Sequence, residues 1–395
     1  MAIYKEQNKL NVPHLRFPEF HGEWEKCKLG DIATLTKGSG ISKDQRSATG
    51  TPCILYGELY TTYKSEVIDY VVSKTDISDK NLVRSCANDI IIPSSGETAI
   101  DISTARCVLS PDVLLGGDLN IIRLKDGDGR FFSYQLNGVR KHDIAKIAQG
   151  VSVVHLYGES IKGLTVSFPS NKEQQKISTL LSLIDERIAT QSKLIEDLKK
   201  LKSAIIEKLY SEIQGKEYSY RQLFEIVNER NNRLEFSNVL SASQERGMVS
   251  REDLNLDIKF ERSNINTYKI VRNGDYVIHL RSFQGGFAFS DIVGVCSPAY
   301  TIMRPKDLLE YGYLSYYFTS RQFIKSLVIV TYGIRDGRSI NVDEWFDMKI
   351  VIPTKEQQRH IVRTIKVFEN KIENEEMYAS CLLKQKQHLL RQMFI

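Results

Sequence analysis

The strongest constraint in this sequence is one segment that occurs twice, once in the middle of the chain and once near its end. The run VSFPSNKEQQKI surrounds Pro169, and the run IVIPTKEQQRHI surrounds Pro353. Each run opens a long segment with periodic apolar residues. A chain arranged as module, helix, module, helix has an internal two-fold character, because a repeated unit packs in the same way each time it occurs. We call the separation between Pro169 and Pro353 the repeat offset.

Both periodic segments carry apolar residues at alternating spacings of four and three. Each ladder has ten positions, eight of them apolar, and its polar interruptions match at the repeat offset: Gln191 with Glu375, and Lys202 with Lys386. This 3.5-residue period predicts an antiparallel two-helix coiled coil, in which a contact between Lys202 and Glu375 is expected. The competing interpretation is two amphipathic helices, each packed on its own domain. The main seam positions are Ile177, Leu181, Ile184, Ile188, Leu198, Ile361, Ile365, Phe368, Ile372 and Leu382.

Local signals place the ends of the two helices. Pro169 and Pro353 each follow a strand-like run. Ser170 (or its neighbour Asn171) and Thr354 are candidate N-caps. The first helix is predicted from about residue 171 to about residue 213, with Gly215 as the glycine that ends it.

The remaining sequence predicts two globular modules of mixed α/β (α+β) class. The first module is residues 1–168 and the second is 216–352, with helical spacer regions at 169–215 and 353–395. Lys28–Ile32 (KLGDI) resembles Gln222–Ile226 (QLFEI), and residues 88–92 (NDIII) resemble residues 274–278 (GDYVI). The loops between these matches differ in sequence. One scaffold with two sets of loops predicts two related but distinct ligands.

Composition narrows the class of protein. The formal charge of +5 and the pI near 8.7 are compatible with binding to nucleic acid. The six cysteines form no CxxC pair, which indicates reduced thiols rather than a zinc site or a disulfide framework. No apolar run approaches the roughly 20 residues that span a bilayer. A cytoplasmic location is expected.

The loops of both modules carry side chains that suit nucleic acid. Arginine bonds guanine, glutamine bonds adenine, and tyrosine stacks or bonds phosphates. Any single one of these residues is better explained as a solvated loop residue than as a base contact, so the prediction concerns the loops as a set. The candidate DNA-binding residues are Lys37, Ser39, Lys43, Gln45, Arg46, Tyr56, Ser94, Ser95, Ser152, His155, Arg281, Ser282, Gln284, Tyr332, Arg335 and Arg338.

Sequence signatures of catalysis are missing. No GxxxxGK[ST] phosphate loop occurs, and the GxG at residues 38–40 is too short for a dinucleotide site. No run that holds a flipped adenine is present, and the seven histidines lack paired metal-ligand spacing. The sequence therefore predicts no catalytic residue, no metal site and no cofactor of its own.

The opening of the chain resembles that of specificity subunits of type I restriction–modification enzymes. The resemblance rests on Pro13–Phe20 (PHLRFPEF), Trp24-Glu25, the KLGD run at residues 28–31, and the two Pro…Lys-Glu-Gln-Gln helix starts. It covers essentially the whole chain, and the opening together with the twin helix starts is quite specific.

The resemblance implies a non-catalytic subunit whose two target-recognition domains each read one half of a bipartite, asymmetric DNA site. The coiled coil would set the half-site spacing and dock two methyltransferase subunits that methylate adenine. Restriction subunits would complete the complex, and S-adenosylmethionine, ATP and magnesium would belong to these partners. Double-stranded DNA is the implied ligand, with no membrane involved. The alternatives are a self-contained DNA-modifying enzyme and a coiled-coil scaffold that binds proteins.

Overall fold

The computed structural model describes residues 10–78, 81–243, 246–254, 262–279, 286–332 and 339–395. The chain forms two compact units, one of Met1–Ser192 with Met377–Ile395 and one of Lys193–Glu376. Each of the two long helices is therefore shared, with one part in each unit. The predicted division differs, because it makes each long helix a region of its own, at residues 169–215 and 353–395.

The first unit contains a mixed α/β module, the first part of the long helix α7 and the end of the last helix of the chain. Its strands are β1 (Glu25–Lys28), β2 (Ala33–Lys37), β3 (Thr51–Ile54), β4 (Val67–Ile68), β5 (Lys74–Thr75), β6 (Asp89–Pro93), β7 (Ser95–Gly96), β8 (Arg106–Val108), β9 (Leu114–Leu115), β10 (Leu119–Leu124), β11 (Val154–His155) and β12 (Thr165–Phe168). Its helices are α1 (Leu29–Ile32), α2 (Glu58–Thr61), α3 (Ala99–Ile102), α4 (Gly129–Asn137), α5 (Lys141–Ile147), α6 (Gly158–Lys162) and α7 (Asn171–Ser211), with a 3-10 turn at Lys43–Gln45.

The second unit contains the other module and the first part of the last helix. Its strands are β13 (Lys216–Ser219), β14 (Phe224–Val227), β15 (Leu240–Ser243), β16 (Gly247–Ser250), β17 (Lys269–Val271), β18 (Tyr276–Ile278), β19 (Phe287–Phe289), β20 (Gly294–Cys296), β21 (Thr301–Pro305), β22 (Thr331–Tyr332), β23 (Ser339–Ile340) and β24 (Lys349–Ile352). Its helices are α8 (Tyr220–Leu223), α9 (Tyr313–Tyr317), α10 (Arg321–Ser326), α11 (Val342–Asp347) and α12 (Lys355–Gln392), with 3-10 turns at Arg251–Leu254, Arg262–Thr267 and Leu327–Val330.

The two modules share a sheet topology. The first has the strand order β2-β10-β6-β8-β4, and the second has β14-β21-β18-β19, which matches the first four strands in order. In each module the opening strand pairs antiparallel with the strand before the long helix, β1 with β12 and β13 with β24. The predicted mixed α/β class and internal repeat are confirmed.

A buried aspartate marks the same place in both sheets. Asp89 at the start of β6 accepts two hydrogen bonds from Arg123, at 2.8 and 2.7 Å. Asp275, just before β18, accepts two from Arg304, at 2.9 and 3.1 Å. The residue before each aspartate has a positive φ, 77° at Asn88 and 92° at glycine 274, which suits these two residue types. The two segments that match in sequence, residues 88–92 and 274–278, therefore also occupy the same place in the two sheets.

The other predicted match between the modules is wrong by three residues. Lys28 precedes α1, and its N–H donates to Asp31 over 3.1 Å. Ser219 precedes α8 in the same way, with its N–H donating to Gln222 over 2.8 Å. Residue 28 therefore corresponds to residue 219, not to Gln222, because the capping geometry rather than the letters KLGDI is repeated.

The two long helices begin as the prolines predicted, with one refinement. Thr354 caps α12 in a capping box with Gln357, whose side chain accepts the Thr354 N–H over 3.1 Å. Gln174 and Gln358 are the equivalent buried glutamines. Each donates to the carbonyl of its proline, 169 or 353, at 2.8 and 3.0 Å. The structural repeat therefore keeps the repeat offset of the prolines, although the letters KEQQ recur one position earlier.

The seam of the long helices is covered along both ladders. None of the twenty ladder positions is exposed, including the four polar ones. The helices run antiparallel within each unit: Asp185 contacts Lys386 and Arg187 lies over Tyr378 in the first unit. In the second unit the ion-pair partner of Lys202 is Glu369, at 3.3 Å, rather than the predicted Glu375. Glu375 forms an ion pair with Lys371 on its own helix.

Gly215 has a different role from the one predicted. Helix α7 ends at Ser211, and Gly215 lies four residues beyond it. A Cβ at Gly215 would lie 2.2 Å from the carbonyl oxygen of Ile352. The glycine is required by the close approach of two backbones rather than by a helix terminus.

Candidate nucleic-acid interface

Four of the candidate residues in the first module line one groove. Lys43, Gln45, Arg46 and Tyr56 surround a cavity of about 1020 Å³ between the 38–46 loop and helix α2. Ser42 fixes the 3-10 turn in this loop, because its N–H donates to the Gln45 side chain over 2.9 Å. The four side chains are all exposed at the rim of the cavity. The loop thus brings the four side chains together at one groove.

A buried carboxylate anchors the groove. Glu58 is 6% exposed and accepts the Leu55 N–H over 2.9 Å and the Ser73 hydroxyl. The Arg46 guanidinium lies 3.5 Å from the same carboxylate and remains partly exposed. Arg46 is therefore held by a charged partner while part of its side chain stays exposed to solvent.

The groove carries hydrogen-bond acceptors as well as donors. Asp118 is exposed, has a φ of 58°, and lines the same groove as the basic side chains. Burial, followed by the nearby Tyr56, raises the pKa of Tyr60, so that this phenol stays a neutral donor. Mixed donors and acceptors are what discrimination between base edges requires, whereas phosphate binding alone needs only positive charge.

Two further candidates in this module occupy different surroundings. Lys37 is exposed at the end of β2, opposite Asn120. The Ser39 hydroxyl accepts the Val83 N–H over 2.8 Å, which ties the loop to the module. The adjacent glycine 38 is required because a Cβ there would lie 2.0 Å from the Gly116 carbonyl oxygen. The GxG run is thus a packing feature.

A second set of candidates meets on the β7–β11 ladder. Ser95 faces His155 across this ladder, while Ser94 is buried and its N–H donates to the Asp118 carbonyl over 2.7 Å. The His155 ring stacks on exposed Tyr157, with centroids 6.2 Å apart. Ser152 is exposed in the turn that the backbone pair of Gln149 and His155 closes.

In the second module, the structure places one of the six candidates. Tyr332 is 55% exposed, and its hydroxyl donates to Glu344 over 2.7 Å, which raises the pKa of the phenol. The others lie outside the described residues: Arg281, Ser282, Gln284, Arg335 and Arg338.

Three residues of this region are absent from the predicted set: Glu58, Asp118 and Tyr157. Glu58 and Asp118 are acidic, and the predicted set contains no acidic residue. Tyr157 was missed although it stands two residues after His155, the spacing at which strand residues share a face. Among the described residues, no group of three or more His, Cys, Asp or Glu side chains is arranged to hold a metal ion. Within that same part of the chain, no helix combines the length and apolar character needed to cross a bilayer.

Comparison with known families identifies related sequences. The profile of the type I restriction modification DNA specificity domain matches residues 21–200. The putative type I restriction enzyme MjaX specificity subunit of Methanocaldococcus jannaschii is 23% identical, with 94% of this chain and 92% of the relative covered. The MjaVIII specificity subunit of the same organism is 22% identical with the same coverage. A putative type I specificity subunit of Mycoplasma genitalium is 33% identical over 190 residues, 48% of this chain and 45% of the relative.

Solved structures share the fold. The S subunit of a type I restriction–modification system from M. genitalium superposes with a TM-score of 0.56 at 16% identity, covering 97% of this chain and 99% of that one. A chain from a structure describing complex assembly and conformational transition of the type I R-M system gives 0.60 at 13% identity, with the same coverage. Over nearly its full length the chain is similar in sequence to specificity subunits of type I restriction enzymes, and it shares its fold with solved chains of type I restriction–modification systems.

Proposed function

We propose that this chain is the non-catalytic DNA-recognition subunit of a type I restriction–modification complex, in which each module reads one half of a bipartite site. The observation that carries the proposal is a repeated scaffold with diverged loops. The strand order and the Asp–Arg pair recur in both modules, whereas the candidate loops differ in sequence. Two modules with one scaffold and different loops would recognise two different half-sites, so the target would be non-palindromic.

The long helices supply docking surfaces for the partners in this proposal. Leu183 and Val367 are equivalent positions, separated by the repeat offset, and both are exposed, at 57% and 65%. Exposed apolar side chains outside the seam suit protein contacts. A surface position repeated with the internal symmetry suits two copies of one partner, as expected for two methyltransferase subunits.

The chemistry is assigned to the partners. Methyltransferase subunits would bind S-adenosylmethionine and methylate adenine, and restriction subunits would use ATP and magnesium. This chain would supply only sequence recognition and spacing, acting on DNA in the cytoplasm. Its moderate net charge of +5 accords with partners that share the phosphate contacts.

The test is a map of methylated adenines in DNA exposed to the chain together with its methyltransferase subunit. The proposal expects one bipartite, asymmetric motif with a fixed number of unspecified base pairs between its halves. The chain alone, supplied with S-adenosylmethionine or with magnesium, should neither methylate nor cut DNA. Activity of the chain alone would favour a self-contained enzyme, and a complex without sequence preference would favour a protein-binding scaffold.

A further inference from the structure

The internal repeat places one group of three polar side chains inside the first unit. Lys386 on α12 lies 2.5 Å from Asp185 on α7, and Tyr134 on the module helix α4 donates to the same carboxylate over 2.8 Å. Lys386 also forms an ion pair with Glu66 of the module. The lysine and both acids are less than 10% exposed. Three separate elements thus meet at one carboxylate.

The second unit repeats the group with the helices exchanged. Lys202 on α7 lies 3.3 Å from Glu369 on α12, and Tyr316 on the module helix α9 donates to Glu369 over 2.7 Å. The repeat offset separates the two lysines from each other, and it also separates the two acids. The tyrosines depart from that offset by two positions and stand in matching helices, in the runs FFSY and YLSY. We call the two groups the clamp clusters.

Stability alone does not explain a buried cluster of this kind. Removing charged groups from water is costly, and apolar replacements of buried ion pairs are often as stable or more so. The best-attested role of polar residues at a helix seam is to fix one register. Here the tyrosine extends that role, because its hydroxyl ties the module helix to the same point.

A second contact holds the other end of each module helix. The Gln174 side chain accepts the N–H of Asp128, just before α4, over 3.0 Å. Gln358 accepts the N–H of Glu310, before α9, over 2.8 Å. Each module helix is therefore held by hydrogen bonds to the long helices at both ends, which leaves it no freedom to slide or rotate without breaking one of them.

We propose that the clamp clusters are positioning residues that set the orientation of each module on its spacer helices and thereby restrict the half-site spacing that the complex accepts. This inference rests on the proposed function. The residues touch no DNA base in it and act through the module that they hold. They determine the spacing of the site, whereas the loops determine its sequence.

The two clusters should restrict the half-site spacing to different extents. The side chains of Lys386 and Asp185 are 11% and 8% exposed, whereas those of Lys202 and Glu369 are 28% and 37% exposed. Ion pairs open to solvent are weaker restraints than buried ones. Loss of the first cluster should therefore relax spacing more than loss of the second.

The experiment uses the full chain with its methyltransferase and DNA duplexes that keep both half-sites and vary the spacer by one base pair. Lys386→Met is expected to reduce the preference for the native spacer about tenfold, which corresponds to about 1.4 kcal/mol, while discrimination against mutated half-sites stays as in the wild type. Lys202→Met should show a smaller reduction. Lys200→Met is the matched control, because Lys200 forms an exposed pair with Glu196 on one helix; it should keep wild-type spacing.

Unchanged spacer preference in a folded Lys386→Met complex would overturn the inference, as would equal loss of spacing and half-site discrimination. Tyr134→Phe removes only a hydroxyl and decides the matter if Lys386→Met fails to fold; relaxed spacing supports the inference and wild-type spacing refutes it. If the wild-type complex methylates no specific site, the proposed function fails instead. If the wild type is specific and neither variant alters spacing, this inference fails by itself.

Discussion

At the scale of single residues, an ion pair with a buried carboxylate holds the start of the chain to the first long helix. Arg16 donates two 2.8 Å hydrogen bonds to Glu173, which is 1% exposed in the first turn of α7. The PHLRFPEF run that resembles the family opening is thus a docking segment for this helix.

Removal of this arginine should leave a buried carboxylate without its partner. Arg16→Met is expected to lower the free energy of unfolding by about 3 kcal/mol, measured by urea denaturation of the full chain. The double variant Arg16→Met with Glu173→Gln should recover part of the loss. A single variant as stable as the wild type would show that the pair contributes nothing.

The cysteine thiols should separate into two reactivity classes. Burial raises the pKa of Cys53 to about 11 and that of Cys296 to about 12. At pH 8 a thiol reagent should label exposed Cys86 and Cys381 first and leave Cys53 unmodified until the chain unfolds. Mass spectrometry of the labelled peptides checks this order, and early labelling of Cys53 would contradict it.

The same shift predicts the direction of a pH effect on stability. An unfolded cysteine ionises near pH 8.5, whereas folded Cys53 stays neutral to about pH 11. Its burial therefore stabilises the fold fully below the unfolded pKa, and this contribution is lost as the pH rises toward 11. A Cys53→Val variant should lose less stability than the wild type between pH 8 and pH 10.5, measured by urea denaturation.

At the scale of elements, the outer faces of the long helices should dock two partners separately. Leu183→Asp and Val367→Asp each place a charge on one of the two equivalent exposed positions. Each single variant is expected to bind one methyltransferase subunit where the wild type binds two, and the double variant none, as measured by native mass spectrometry. Lys200→Asp on the same helix is the control and should bind two. Two bound subunits in the double variant would exclude this surface.

Sequence patterns predicted the long helices better than they predicted which residues of the two modules are equivalent. The 3.5-residue ladder located α7 and α12 because a seam imposes burial on every rung. Matching letters misaligned KLGDI by three residues, because the capping hydrogen bond of Ser219 constrains the backbone and accepts several residue types.

The residue types of the candidate interface could be predicted from the sequence, but not which of these residues come together. Lys43 and Tyr56 come together in one groove through a turn between distant segments, which no local pattern specifies. Of the clamp clusters, the sequence identified Lys202 and Lys386, which are polar positions of the ladder. Their partners Tyr134 and Tyr316 belong to the modules, and only tertiary packing shows which acid each tyrosine meets.

At the scale of the whole molecule, the two long helices should act as a ruler. Seven residues inserted into both helices, after Ser192 and before Met377, keep the seam in phase and add about 10 Å at 1.5 Å per residue. The DNA spacer is expected to lengthen by about three base pairs, since each adds about 3.4 Å. A methylation map provides the spacer length, and an unchanged spacer would refute the ruler.

Four residues inserted into α7 alone break the seam phase and should lengthen the spacer or abolish recognition.

The most direct test of two independent readers is an exchange of one module. Residues 1–168 are replaced by the first module of another specificity subunit, and methylated adenines are mapped with the same methyltransferase. We expect one half of the recognised sequence to change while the other half and the spacer length stay the same. A map in which both halves change, or neither does, would contradict this expectation.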